Sequence, residues 1–267
     1  MPQANRNHQL DGSVRNARFT DTGERRCPFY ERPARGNPDC HIEILKATDL
    51  PPVVQLHEEI HASLRDSGVL YFRDIDFFER LLAGDEGGIV GARAGGRLIG
   101  YAAFKRAGGD CGSYHRHLNL PYTDPKLVAE TAGSVVHSDF RNHGLHVALC
   151  RTRIDVVRSL GFRDLAAVVS VANPAGTATC FRCGLEVRAL HYDADGTNLL
   201  FHARLVDNRS SGNPPVEHWI KLPDTAEHRA VLAAGFRGVV YHRKAGELQV
   251  GYASPPSKPP PQPNKPR

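Results

Sequence analysis

The stretch VVHSDFRNHGLHVAL, Val135 to Leu149, packs three His, one Arg and one Asp around Gly144, with apolar residues on either side. The apolar flanks predict a strand that ends near Val136 and a helix that starts near Gly144. A strand running through a polar loop into a helix leaves several backbone N–H groups unpaired and pointing the same way, at the positive end of the helix dipole. Glycine at 144 lets a ligand approach the backbone closely. Arg141, His143 and His146 can add donors or charge around a bound phosphate. A polar helix start that binds only water is the alternative reading.

Outward from this stretch the pattern is regular. HIEILKA (41–47) alternates as a half-buried strand does, and Asp49 followed by Pro51 and Pro52 opens a helix carrying Val54, Leu56 and Ile60. DIDFFERLLAG (74–84) predicts a second helix closed by Gly84, and GGIVGARAGGRLIGYAAFKRA (87–107) a hairpin turning at Gly95 and Gly96. A long polar loop follows, then a strand at AETAGSVVH (129–137). The helix from Gly144 to Leu160 places Leu145, Leu149, Val156 and Leu160 on one face. DLAAVVSV (164–171) is an apolar strand, Asn173 to Cys183 a short helix, and EVRALHY with TNLLFHARL (186–205) a hairpin. This order of elements describes a mixed α/β sheet.

At the ends the composition changes. Residues 1–40, rich in Arg, Asn, Pro and Gly, read as a flexible or irregular arm, and residues 254–267 as a disordered, Pro-rich basic tail. Residues 41–205 read as the main domain and 206–253 as a small C-terminal α/β extension after a linker. Its strand, helix and hairpin echo in outline the helix, Gly-hydrophobe and hairpin of TCFRCGLEVRALHYDADGTNLLF (179–201). A duplicated half-domain and an extension packed on the sheet both produce such an echo, and the extension is the simpler reading.

With 267 residues, 40% of them hydrophobic, the chain can bury a full core. Its formal charge of +5 comes from scattered Lys and Arg, which argues against a nucleic-acid partner and leaves an anionic small ligand open. Six Cys are too sparse for a disulfide framework. No signal-like leader and no run of about 18 apolar residues occurs, so a cytoplasmic location without a membrane partner is expected.

VHSDFRNHGLHVAL resembles the motif A region of the GNAT superfamily of N-acetyltransferases, with Val136, Asp139, Phe140, Arg141 and Gly144 in register. His146 departs from the small residue usual there. NPAGTATCFRCGL is similar to the motif B helix of the same family, from Asn173 to Gly184 and Leu185. The resemblance spans roughly His41 to Leu205. It implies a mostly antiparallel sheet flanked by helices, splayed between the fourth and fifth strands, with acetyl-CoA in the gap. Val135, Val136 and His137 would then hold pantetheine and acetyl group. The backbone from Arg141 through Asn142, His143, Gly144 and Leu145 to His146 would hold the pyrophosphate, with Asn173 on the cofactor side. The implied reaction is direct transfer of an acetyl or other acyl group from coenzyme A to a primary amine, on a small molecule or a peptide.

Such a transfer needs a neutral amine, an oxyanion donor and a proton for the departing thiolate. Glu130 stands where some members of the family carry a glutamate base, and a strand-end ion pair is the alternative. Cys180 occupies the position of the family's usual acid, a Tyr, and reads equally as a small core residue. Tyr192, Tyr114 and His137 are further proton donors the fold could bring close. YHRH (114–117) lies where acceptors enter in this family.

Two other patterns compete. HEEIH (57–61) is a literal His-Glu-x-x-His, the zinc-binding pattern of metal hydrolases, without a third ligand at a recognised spacing. CFRC (180–183) has thiol-pair spacing but no second pair. The reading taken is an acyl-CoA-dependent N-acyltransferase with no metal. A non-catalytic acyl-CoA-binding module of the same fold and a zinc hydrolase are the alternatives, and a homodimer remains open.

Overall fold

The computed structural model describes residues 25–26, 40–64, 69–84, 86–108, 113–118, 124–193, 196–205 and 214–255. Nearly all of the expected N-terminal arm, most of the linker and the tail from residue 256 lie outside the described residues.

One sheet runs through the molecule. Its strands are β1 (Cys40–Ile44), β2 (Gly87–Ala94), β3 (Arg97–Arg106), β4 (Val128–Val136) and β5 (Asp164–Ser170). They are followed by β6 (Glu186–Asp193), β7 (Gly196–Arg204), β8 (His218–Lys221), β9 (Arg237–Lys244) and β10 (Glu247–Ala253). Their spatial order is β1-β2-β3-β4-β5-β7-β6-β9-β10-β8, with Arg25–Arg26 on the outer edge of β1. The β4–β5 pair is parallel and every other described pair is antiparallel. The mixed, mostly antiparallel α/β fold expected from the sequence is the fold observed.

The helices are α1 (Leu50–Ser63), α2 (Ile75–Ala83), α3 (Leu145–Ser159), α4 (Pro174–Arg182) and α5 (Thr225–Ala233). Side chains alternate between the two faces of a strand, so β2 and β3 can be apolar on both. Ile89, Leu98 and Tyr101 meet Val53, Leu56, Phe78 and Leu81 of α1 and α2. On the opposite face Val90, Ile99 and Ala102 meet Leu145, Leu149 and Val157 of α3. Local chemistry starts the helices where the sequence indicates. Asp74 accepts from the Phe77 N–H at 2.9 Å to cap α2, and Asn173 accepts from the Gly176 N–H at 2.8 Å to cap α4.

The C-terminal segment continues the sheet edge to edge instead of lying on its face. β8-α5-β9-β10 repeats the topology of β5-α4-β6-β7, each a strand, a helix and a hairpin whose second strand pairs back with the first. The steps from Glu186 to Arg237 and from Asp193 to Lys244 are both 51 residues. The same offset carries Ser170↔Asn198 onto Lys221↔Gln249, and the hairpin bulge between Val187 and Ala189 onto that between Gly238 and Val240. The two units meet at one bridge, Val187↔Gly238, between equivalent residues, so an approximate two-fold axis passes through it. Arg237 pairs with its counterpart Glu186 across this joint at 3.1 Å.

Candidate functional site

β4 and β5 are bonded only where Val128–Glu130 face Asp164–Ala166. Beyond that point β4 stays with β3 as far as Gly100↔Val136, and β5 stays with β7 as far as Ser170↔Asn198, so the two strands splay. Between Ala102↔Ser134 and Phe104↔Thr131, β4 carries one extra residue, with Gly133 at φ 113°. Such a bulge leaves a residue out of the ladder and bends the strand beside the gap. A cavity of about 110 Å³ lies between Thr131–Ser134 and Ala167–Ser170, with Cys150, Arg153 and Cys180 also in its wall.

A second cavity, of about 420 Å³, adjoins the first through shared wall residues including Ser134, His146, Asn173 and Thr179. It runs past the start of α3, where Gly144, at φ 80°, makes the turn into the helix. That left-handed conformation costs residues with a Cβ about 1–2 kcal/mol. The Ala148 N–H reaches the Gly144 carbonyl at 3.1 Å, so the amides of Leu145, His146 and Val147 precede the first intrahelical bond. Arg141, Arg182 and Arg243 stand in the wall, which contains no carboxylate. His146 does not fill the cradle: its Nδ1 lies 3.2 Å from Thr179 Oγ1, which draws the ring toward α4.

The residues expected to bind a cofactor divide between wall and scaffold. Val135, Val136, Arg141, Asn142, Gly144, Leu145, His146 and Asn173 line the larger cavity. His137 lines neither cavity; its Nε2 lies 3.0 Å from Glu59 Oε1, which ties the end of β4 to α1. His143 is exposed and lies in neither wall.

The expected catalytic residues are placed less favourably. Glu130 is fully buried and reaches neither wall. Its Oε1 accepts from Ser113 Oγ at 2.6 Å and from the His115 N–H at 3.0 Å, and Lys105 Nζ lies 3.6 Å from Oε2. These contacts pin residues 113–118 to β4, in line with the ion-pair reading. Cys180 does line the smaller cavity, but burial, followed by the neighbouring Cys150, pushes its thiol up to about 12. A thiol so reluctant to ionise is a poor match to an ordinary thiolate as proton acceptor. Tyr192 corrects the expectation: it is 48% exposed, its hydroxyl accepts from Arg229 Nη2 at 2.7 Å, and it lines neither cavity. Strand alternation explains this, because it is the adjacent His191 that turns toward Tyr114 and His117.

Other polar groups reach the smaller cavity instead. Tyr71, Arg73, Tyr114 and Asn198 line it. Tyr71 donates to Asp193 Oδ2 at 2.5 Å and Asn198 Nδ2 donates to the same oxygen at 2.9 Å, so this carboxylate stands directly behind the wall. Burial pushes the Tyr114 phenol up, against the Arg73 guanidinium, which pulls it down. On the α3 side, buried Arg153 donates through Nη1 to Ser134 Oγ at 2.9 Å and to the Ala103 carbonyl at 3.2 Å. A hydrogen bond from Cys183, aided by Arg153 and His146, holds the Cys150 thiol well below its usual range. YHRH had marked Tyr114. The Tyr71–Asp193 pair left no signal, being 122 residues apart, whereas Arg153 was visible as a cation at helical spacing from the apolar Leu149, Cys150, Val156 and Val157.

The His-Glu-x-x-His stretch serves the core. The Arg73 N–H donates to His57 Nε2 at 3.0 Å, so Nδ1 carries the proton toward Tyr101 Oη, 2.8 Å away. Both ring nitrogens are thus engaged within the fold, and among the described residues no group of three or more His, Cys, Asp or Glu is arranged to hold a metal. Burial, then His61 and Arg73, lowers His57 to about 4. The unfolded chain takes up this proton near 6.5, so stability is unaffected above that pH and falls as pH drops toward 4, by up to about 3 kcal/mol. Urea unfolding at pH 7.5 and pH 4.5 should show this loss, and His57→Gln should flatten it; an equally steep loss in the variant would place the acid sensitivity elsewhere.

No helix among the described residues is long and apolar enough to cross a membrane. A family model described as the acetyltransferase (GNAT) family matches residues 53–185. No curated protein sequence matches the chain. Among solved structures, AAC(6')-Ib in complex with ribostamycin and coenzyme A is 16% identical with a TM-score of 0.50, over 65% of this chain and 99% of that one. The yncA protein from Salmonella typhimurium with acetyl-CoA is 18% identical with a TM-score of 0.49, over 65% and 98%. An N-acetyltransferase from Staphylococcus aureus Mu50 is 20% identical with a TM-score of 0.48, over 62% and 98%. The splayed strands, the glycine-led helix start and the family match over α1 to Leu185 converge: residues 53–185 belong to the GNAT acetyltransferase family.

Proposed function

We propose that the chain transfers an acetyl group from acetyl-CoA to the amine of a compact acceptor bound against Tyr71, Arg73 and Tyr114. The observation that carries this reading is the continuity of the two cavities, a narrow gap between splayed strands opening onto an arginine-bearing cradle without carboxylates. Such a wall suits a chain of phosphates at one end and a slim arm at the other. The coenzyme A bound to AAC(6')-Ib supports the same ligand class.

Acetyl-CoA enters as a substrate and supplies the acyl thioester. Arg141 and the first amides of α3 would hold its pyrophosphate, and the unbonded edges of β4 and β5 would hold the arm. Glu130 and Cys180, which stand at the family's base and acid positions, are compromised, Glu130 by its partners and Cys180 by its high pKa. Asp193 takes the amine proton through the Tyr71 hydroxyl, which bonds it and lines the cavity. Arg153, below the gap, favours the negative charge that develops on the departing sulfur.

The acceptor is constrained by charge. The smaller cavity carries Arg73 and Arg153 and no carboxylate in its wall, which favours an amine whose other groups are neutral or anionic over a polycation. A specific observation keeps a second reading, acyl-CoA binding without turnover: neither Glu130 nor Cys180 offers the expected chemistry. Titration calorimetry with acetyl-CoA, followed by thiol release over a panel of amino acids, peptides, polyamines and aminoglycosides, separates the two. Micromolar binding with turnover of a small amine, lowered about a hundredfold in kcat by Asp193→Asn, is the expected result. Binding with no turnover supports the second reading, and no binding at millimolar acetyl-CoA overturns both.

A further inference from the structure

We infer that the C-terminal repeat completes the cofactor site, with Arg243 of β9 binding the 3′-phosphate at the nucleotide end of coenzyme A. This rests on the coenzyme A reading and adds a residue from outside the family-matched segment. β6 and β9 share a single bridge, Val187↔Gly238. Past it β9 leaves β6 and packs against α4, where the Tyr241 ring stacks on Phe181 at 5.8 Å and its hydroxyl accepts from Arg182 Nε at 2.8 Å. Alternation puts Arg243 on the same face of β9 as Tyr241, and both line the larger cavity.

Position and charge then select the ligand group. Arg182, Tyr241 and Arg243 line the larger cavity and not the gap, as the start of α3 does, so with the arm in the gap and the pyrophosphate at α3 they are left to meet what extends beyond the pyrophosphate. In coenzyme A that is an adenosine bearing a 3′-phosphate. Arg243 has no ion-pair partner among the described residues, and the wall around it contains no Asp or Glu. A guanidinium in that setting pairs with a phosphate.

The test compares acetyl-CoA with its 3′-dephospho form, by calorimetry, on the full chain and on Arg243→Ala. The wild type should bind the dephospho form roughly tenfold more weakly. Arg243→Ala should lose a similar factor for acetyl-CoA and nothing further for the dephospho form, the coupling expected of a direct contact. Arg243 is exposed, so its replacement should leave the melting temperature unchanged. Tight wild-type binding that Arg243→Ala leaves unaltered, or weakens equally for both ligands, overturns this inference alone. Failure of the wild type to bind either ligand overturns it together with the coenzyme A reading.

Discussion

Gly144→Asp is expected to reduce acetyl-CoA affinity by more than a hundredfold while leaving the fold as stable as the wild type. The residue adopts φ 80° at the N-cap of α3 and forms part of the larger cavity's wall. Aspartate is among the few residues with a side chain that accept this backbone conformation, and its carboxylate favours a helix start by capping and by the dipole. The same carboxylate would stand within about 4–5 Å of a bound phosphate, a repulsion of about 3–4 kcal/mol at an effective dielectric near 20. Calorimetry and thermal unfolding on one preparation check both halves. Retained affinity would remove the phosphate from the start of α3, and a large fall in melting temperature would show instead that the turn itself had failed.

Lys105→Ala is expected to cost about 3–5 kcal/mol, lowering the melting temperature by roughly 10 °C. Lys105 and Glu130 are both buried, and the amine is the cation 3.6 Å from the carboxylate. Removing it leaves a charge in the core held only by the Ser113 hydroxyl and by the N–H and imidazole of His115. The double variant Lys105→Met with Glu130→Gln takes out both charges and should recover at least half of the loss, since replacing a buried pair costs far less than breaking it. A catalytic base facing substrate would behave differently: Lys105→Ala would then spare stability, and Glu130→Gln would abolish turnover with a normal melting curve.

The parts of this protein legible in its sequence are those fixed by neighbours in the chain. Gly144, Asn173 and the turns at Gly95 and Gly96 act within a few residues, and the alternation from Ile89 to Phe104 registers the two faces of a strand. Catalytic residues depend on distant pairing. Glu130 had the right strand and the right residue type, but Lys105 on the neighbouring strand and a loop 15 to 17 residues away claim its oxygens. Tyr192 and His191 differ by one step along β6, and only the strand's orientation decides which of them faces the site. The groups now proposed to move the proton, Tyr71 and Asp193, share no local pattern.

The repeated units at a 51-residue spacing also act as a natural control on one another, one backbone plan written twice in a single polypeptide. What both copies keep is what the plan demands: a side-chain cap at Asn173 and Asp224, a left-handed glycine at 184 and 235, and a bulge at the same point of each hairpin. What they do not share is freed for other duties. Gly176 and Thr179 line a groove in the first copy where Glu227 and Ala230 stand in the second, while the second carries Arg243 where the first has Tyr192. On the coenzyme A reading proposed above, one copy serves as the seat of the ligand and the other as its outer rim, a division of labour that two identical subunits meeting on the same axis could not have adopted independently.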